Sequence, residues 1–274
     1  MYSTSFFYAG IELVDFGFII CSFDGSSGST TVSAGSKITF NTVPVDKGRK
    51  YSLTGTQYDE CIQSTFSIAK NPCKNLSNEE MRITNDEYRD IMRWLNRREF
   101  LKFQIFDESD NTRDACYFNA SFNVEKVLIG GQLYGLTLTM TTDKPFGYGE
   151  EQIFTFNITN TSNSYVLYDV SDEIGQTYPN ITITCNESGN LILTNETEDC
   201  VMVINNCSKG EVITINGEVQ IITSSSSSHA IYDDFNFEFF KIGNTYDNRE
   251  NIITSTLPCT LEIKYTPIIK DTPE

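Results

Sequence analysis

His229, the chain's only histidine, directly follows a run of five serines at 224–228, so any serine or cysteine hydrolase built on this sequence has to use it as the base. No G-x-S-x-G elbow accompanies it, and the serine run reads as a flexible loop that leaves the histidine exposed to solvent. Phosphate-binding loops, dinucleotide fingerprints and metalloprotease helices are absent. Glycosidic cleavage needs only two well-spaced carboxylates; 37 acidic residues supply them in excess, and no pair stands out. Tyr232-Asp233-Asp234-Phe235 combines rings with hydroxyl-binding groups, as a sugar platform would, but reads more simply as the edge or core of a strand.

Metal chemistry has little to build on. Asp107, Asp110 and Asp114 offer hard oxygen donors, yet their spacing and the missing glycine depart from a calcium loop, and 107–114 reads as a hairpin turn. The eight cysteines (Cys21, Cys61, Cys73, Cys116, Cys185, Cys200, Cys207 and Cys259) include no C-x-x-C pair, and one histidine gives no zinc spacing. No cofactor or metal is expected. The first residues lack a basic segment followed by an apolar core, so no signal peptide is expected and the thiols are expected to be reduced and mostly buried. No apolar run is long enough to span a bilayer.

The elements that must position these residues are mostly strands. The exception is a helix over 84–96. Thr84 and Glu87 form a capping box, and Tyr88, Ile91, Met92 and Leu95 make one apolar stripe, with Arg89, Arg93 and Arg97 opposite. Trp94, the only tryptophan, falls about a third of a turn off that stripe. It belongs either to a wide core stripe between two sheets or, with Arg93 and Arg97, to a subunit interface, where aromatics and arginine are favoured.

Residues 5–24 suit a hairpin, 25–36 a small polar loop, and 37–43 and 63–69 half-buried strands, with 44–60 read as a long connection. Strands follow at 99–106, 117–128 and 134–140, the last two joined by Gly130-Gly131. The cluster of Pro, Gly and acids near 146–152 marks a linker between domains at 1–145 and 153–274. The second half shows no helical period. Short strands recur at 181–185, 191–194, 201–204, 212–215, 219–222, 235–240 and 261–265, and Asn216-Gly217 predicts a two-residue turn with positive φ, all suiting an antiparallel sandwich.

Charge separates the halves. The net charge of −17 argues against sequence-independent nucleic-acid binding. Residues 1–150 carry 15 basic and 19 acidic side chains, and 151–274 carry 5 and 18.

In this order, SFDGSSGS, LSNEEMRITNDEYRDIMRWLNRREFLKFQIFD, CYFNASFNVEKVLIGGQLYGLTLTM, KPFGYGEE and NTYDNRENIITSTLPCTLEIKYTPIIK resemble the distal tail (Dit) proteins of long-tailed phages infecting Gram-positive bacteria. The resemblance implies a mainly β chain: an N-terminal β-sandwich or barrel-like domain carrying one helix, and a C-terminal galectin-like β-sandwich. It further implies a homo-hexameric ring at the virion's tail tip, made in the bacterial cytoplasm. Such a ring joins the tail tube protein to the tail-associated tip protein and receptor-binding proteins, passes DNA through its channel, inserts in no membrane and has no enzymatic activity. The alternative reading is a carbohydrate-binding module acting through the C-terminal sandwich. Ring contacts are expected mainly within residues 1–145, because the strongly acidic second half repels its own copies.

Overall fold

The structure is a computed structural model describing residues 5–23, 37–74, 76–107, 112–113, 116–159, 161 and 163–271. It divides into two units, one of Met1–Tyr148 with the chain from Ile269 onward, the other of Gly149–Ile268. This differs from a 146–152 linker in two ways. A strand already begins at Gln152, and the end of the chain returns to the first unit.

In the first unit, one antiparallel path runs Ile11–Glu12, Ser5–Tyr8, Leu101–Asp107, Phe118–Ile129, Gln132–Thr142, Gln63–Lys70, Phe18–Cys21, with Thr112–Arg113 pairing beside Leu101–Asp107. Its two ends do not join among the described residues, so the sheet does not close into a barrel. Alternation puts Phe118, Ala120 and Phe122 on the buried face, and register places Phe122 opposite Met140 and Phe66 opposite Leu138. Gly130 and Gly131, with φ of 60° and 80°, make the tight turn between the two longest strands.

The helix Asn85–Leu95 covers that face. Thr84 Oγ1 accepts from Glu87 N while Glu87 Oε2 accepts from Thr84 N, the expected capping box. Ile91, Trp94 and Leu95 are its buried residues. Its flanks are tied down as well: Ile83 N donates to Leu133 O at 2.9 Å, and Asn96 Nδ2 reaches Phe122 O at 3.4 Å.

The second unit is a two-sheet sandwich. Gln152–Ile158, Cys259–Tyr265, Asn180–Cys185, Val212–Asn216 and Ile221–Ser224 form one sheet; Tyr165–Tyr168, Glu250–Ser255, Gly189–Asn195 and Cys200–Cys207 form the other. Inward positions supply a mostly aliphatic core, including Ile181, Ile183, Leu191, Leu193, Ile213, Ile253, Leu261 and Ile263. Two expectations fail here. Residues 235–240 form no strand, meeting the sheet through the Ile204–Phe235 bridge and through Asn236, which accepts from Val203 N and donates to Val201 O and Val203 O, and Ile231–Asp234 makes one helical turn where no helix was predicted.

The Asn216-Gly217 hairpin exists, but its turn is longer than two residues and Gln220 takes the positive φ, at 53°. Gly217 is required for another reason: a Cβ there would lie 2.1 Å from Tyr178 O. The motif therefore marks a close backbone approach.

Candidate assembly surface

The segment read as a long connection is the second strand of a hairpin. Ile38–Val45 pairs with Lys50–Tyr58 around Asp46–Gly48, where three consecutive residues take positive φ. This two-stranded sheet pairs with no other strand among the described residues. Alternation along Ile38, Phe40, Thr42 and Pro44, with their partners Tyr58, Thr56, Leu53 and Tyr51, collects the rings with Ile38 and Leu53 on one face, while Val43 and Val45 lie on the other. Phe40, Tyr51 and Leu53 are 62%, 64% and 58% exposed. The sequence carried a signal in Tyr51 and Leu53, two apolar residues in period two beside a Lys-Gly turn. What hid it is that neither face of the ribbon is buried, and a bulge at Asn41/Thr42 interrupts the pairing.

The three residues proposed for a subunit contact divide differently. Trp94 is only 3% exposed, stacked between Phe16 at 4.7 Å and Phe6 at 5.6 Å, and its Nε1 donates to Tyr8 O at 2.9 Å. It is a core residue and is not available for an interface. The wheel placed it off the stripe because this core reaches around the helix to Phe16, beyond the sheet-facing side. Arg97 sits beside it in the exposed surface and donates through Nε to Trp94 O at 3.2 Å, while Arg93 pairs with Asp90 at 3.0 Å one turn back. Tyr8, under the tryptophan, has its pKa pushed up to about 12, chiefly by burial, with the Arg97 charge working against the rise.

An open cleft in the same unit is lined by Phe16, Lys70, Lys74, Leu76, Glu80 and Glu87, of which Lys70, Glu80 and Glu87 are already engaged. Lys70 Nζ lies 2.7 Å from Glu87 Oε1 and donates to Glu80 O at 3.0 Å.

His229 is the other revision. Its side chain is buried, with Nδ1 2.5 Å from Glu211 Oε1 and Nε2 3.3 Å from Asp234 Oδ2. The same Glu211 carboxylate accepts from Ser224 Oγ and from Ser208 N at 2.8 Å. Burial alone would lower the imidazole's pKa; the hydrogen bond and charge of Glu211, helped by Cys207 and Asp234, outweigh it and raise it. Burial likewise works to raise the Glu211 carboxyl, and the bonds from Ser224, His229 and Ser208 overcome it and lower its pKa. Ser224 gives its proton to the carboxylate rather than to the imidazole, so serine and histidine are not paired as nucleophile and base. The serine run is also structured: Ser225 Oγ accepts from Val212 N and Ser224 Oγ from Ser226 N, both at 2.9 Å.

The sugar-platform stretch is likewise divided. Phe235 is buried and Asp234 is held by Asn206 Nδ2 at 2.7 Å, which leaves Tyr232 as its exposed ring. The 25–36 loop and most of the 107–114 aspartate cluster lie outside the described residues. Among those described, no His/Cys/Asp/Glu group could hold a metal ion, and no helix is long and apolar enough to cross a membrane.

A family model described as the phage tail protein N-terminal domain matches residues 1–144, and one described as the phage tail C-terminal domain matches 146–265. The chain belongs to this phage tail protein family. Its fold is that of the SPP1 Dit protein, described as a paradigm of hub adsorption apparatus in phages infecting Gram-positive bacteria: TM-score 0.64 at 11% identity, covering 97% of this chain and 99% of that one. A chain of the phage P2 baseplate in its activated conformation with Ca aligns over 96% and 98% at 10% identity, with a TM-score of 0.44. No curated protein matches in sequence. This phage tail protein thus has the mainly β Dit fold, with the open sheet and the exposed hairpin in its N-terminal domain.

Proposed function

We propose that this protein is a non-enzymatic structural adaptor of the tail tip, assembling into a homo-hexameric ring through the Ile38–Val45/Lys50–Tyr58 hairpin. The observation that carries the reading is the hairpin's apolar face. A two-stranded ribbon is marginal in water by itself, and an apolar ribbon with unpaired edges gains stability by packing on another chain. In a head-to-tail arrangement of identical subunits, each hairpin is received by its neighbour and the contact closes into a ring. The ring joins the tail tube protein to the tail-associated tip protein and receptor-binding components, and its channel passes DNA. The acidic second half stays apart from its own copies.

The test is the mass and appearance of the full-length protein in solution. Wild type is expected as six-fold rings by native mass spectrometry and negative-stain microscopy. Phe40→Asp combined with Leu53→Asp is expected to give monomers with unchanged circular dichroism. Rings that persist in the double variant would remove the hairpin from the contact, and a monomeric wild type would remove the ring.

A further inference from the structure

The end of the sandwich carries two connections that cross between the sheets. One leaves Cys185, at the end of a strand of the five-stranded sheet, and enters the other sheet at Gly189. The other leaves Cys207, at the end of a strand of the four-stranded sheet, and returns to the first sheet at Val212. They run side by side. Lys209 N donates to Ser188 Oγ at 2.9 Å, Gly210 N to Cys185 O at 2.7 Å, and Cys185 N to Glu211 O at 2.9 Å, while Gly189 pairs with Cys207 across the strands. Both thiols are free and buried.

Facing sheets are about 10 Å apart, whereas a disulfide needs Cα atoms within about 7 Å, so a bridge between sheets fits only where they converge. This corner is such a place. The two thiols interact there: the contact lowers the Cys207 pKa against the effect of burial and, together with burial, raises that of Cys185, while Cys207 Sγ donates to Ile204 O at 3.5 Å. Cys259 is the third thiol nearby, but it is the cross-strand partner of Cys185 within the same sheet and is held against Ser255 Oγ at 3.8 Å.

We infer that Cys185 and Cys207 form an inter-sheet disulfide when the protein meets a small-molecule disulfide outside a reducing cytoplasm. The Cys207 thiolate attacks one sulfur of the small disulfide as the corner opens locally, forming a mixed disulfide and releasing one thiolate. Cys185, as its proton passes to solvent, then attacks the Cys207 sulfur. The protein S–S bond forms and the second small thiolate leaves, so two electrons pass to the small disulfide and both protein thiol protons to solvent or the released thiolates. A tail component leaves the reducing interior where it is made, and the bond would fasten the second unit's two sheets at that point.

The test uses the full-length protein with oxidised glutathione near pH 8, then blocking of remaining thiols, digestion and mass spectrometry without reductant. A peptide pair linking Cys185 to Cys207 is expected. It should be retained in Cys259→Ala and lost in Cys185→Ser and in Cys207→Ser, each checked for folding by circular dichroism. Closing a loop of roughly 20 residues should raise the second unit's Tm by about 10 °C, reversed by dithiothreitol. The inference fails if all eight thiols still alkylate on unfolding after prolonged exposure, or if Cys259 takes the place of either partner. Mapping on the wild type keeps these outcomes readable even where a serine variant does not fold.

Discussion

The two units dispose of their difficult residues in opposite ways. The first gathers rings, with Phe6, Phe16 and Phe122 around Trp94 and Tyr8 and with Phe66 and Phe103 packed on Phe6 and Phe122, and leaves an apolar hairpin in solvent. The second packs aliphatic side chains, encloses a hydrogen-bonded histidine–glutamate pair and places most of the chain's net negative charge in its half of the sequence. Exposed apolar area is lowered by association, while like charge opposes it. One chain can therefore carry a part that assembles and a part that holds off its own copies.

The comparison can be broken hardest at Trp94. Trp94→Ala should cost the first unit about 3–5 kcal/mol, through lost ring packing and an unpaired Tyr8 carbonyl. In urea followed by separate probes for the two units, only the first transition should move. A shift of both would show that the units do not unfold independently.

Glu211→Gln comes next, at about 2–3 kcal/mol on the second unit, because it leaves the buried imidazole without its counter-charge. The pH dependence has two sides. The raised His229 pKa gives stability that is complete below about pH 6.5 and is lost as pH rises through the folded value; the lowered Glu211 pKa gives stability present above about pH 4.5 and lost as pH falls through its folded value. Thermal melts across that range should therefore show a plateau for wild type and, for His229→Gln, a loss of the alkaline-side slope. Unchanged slopes would mean that the pair does not hold its charge.

Gly217→Ala should destabilise the second unit by about 1–3 kcal/mol, since the added methyl must push Pro179 and the Tyr178 carbonyl aside. Its melting temperature measures this, and an unchanged value would show that the turn yields freely. The smallest effect is expected at Arg93→Ala, within about 0.5 kcal/mol in the same urea experiment, because an exposed pair one turn apart on a helix contributes little. A loss of rings without loss of stability in that variant would move part of the assembly contact from the hairpin to the helix.

Sequence alone determined what local chemistry and periodicity control. The capping box placed the helix start at Thr84, alternation set which residues of 118–122 and 136–140 face inward, and paired glycines marked their turn, because each signal is written within a few residues. Tertiary structure alone decided what depends on distant chain. Trp94 is core because Phe6 and Phe16, some eighty residues away, close over it, and His229 is buried because Glu211 comes from another strand. The same holds for Gly217, set by the backbone of Tyr178, and for the hairpin at 38–58, whose two strands pair with no other strand among the described residues.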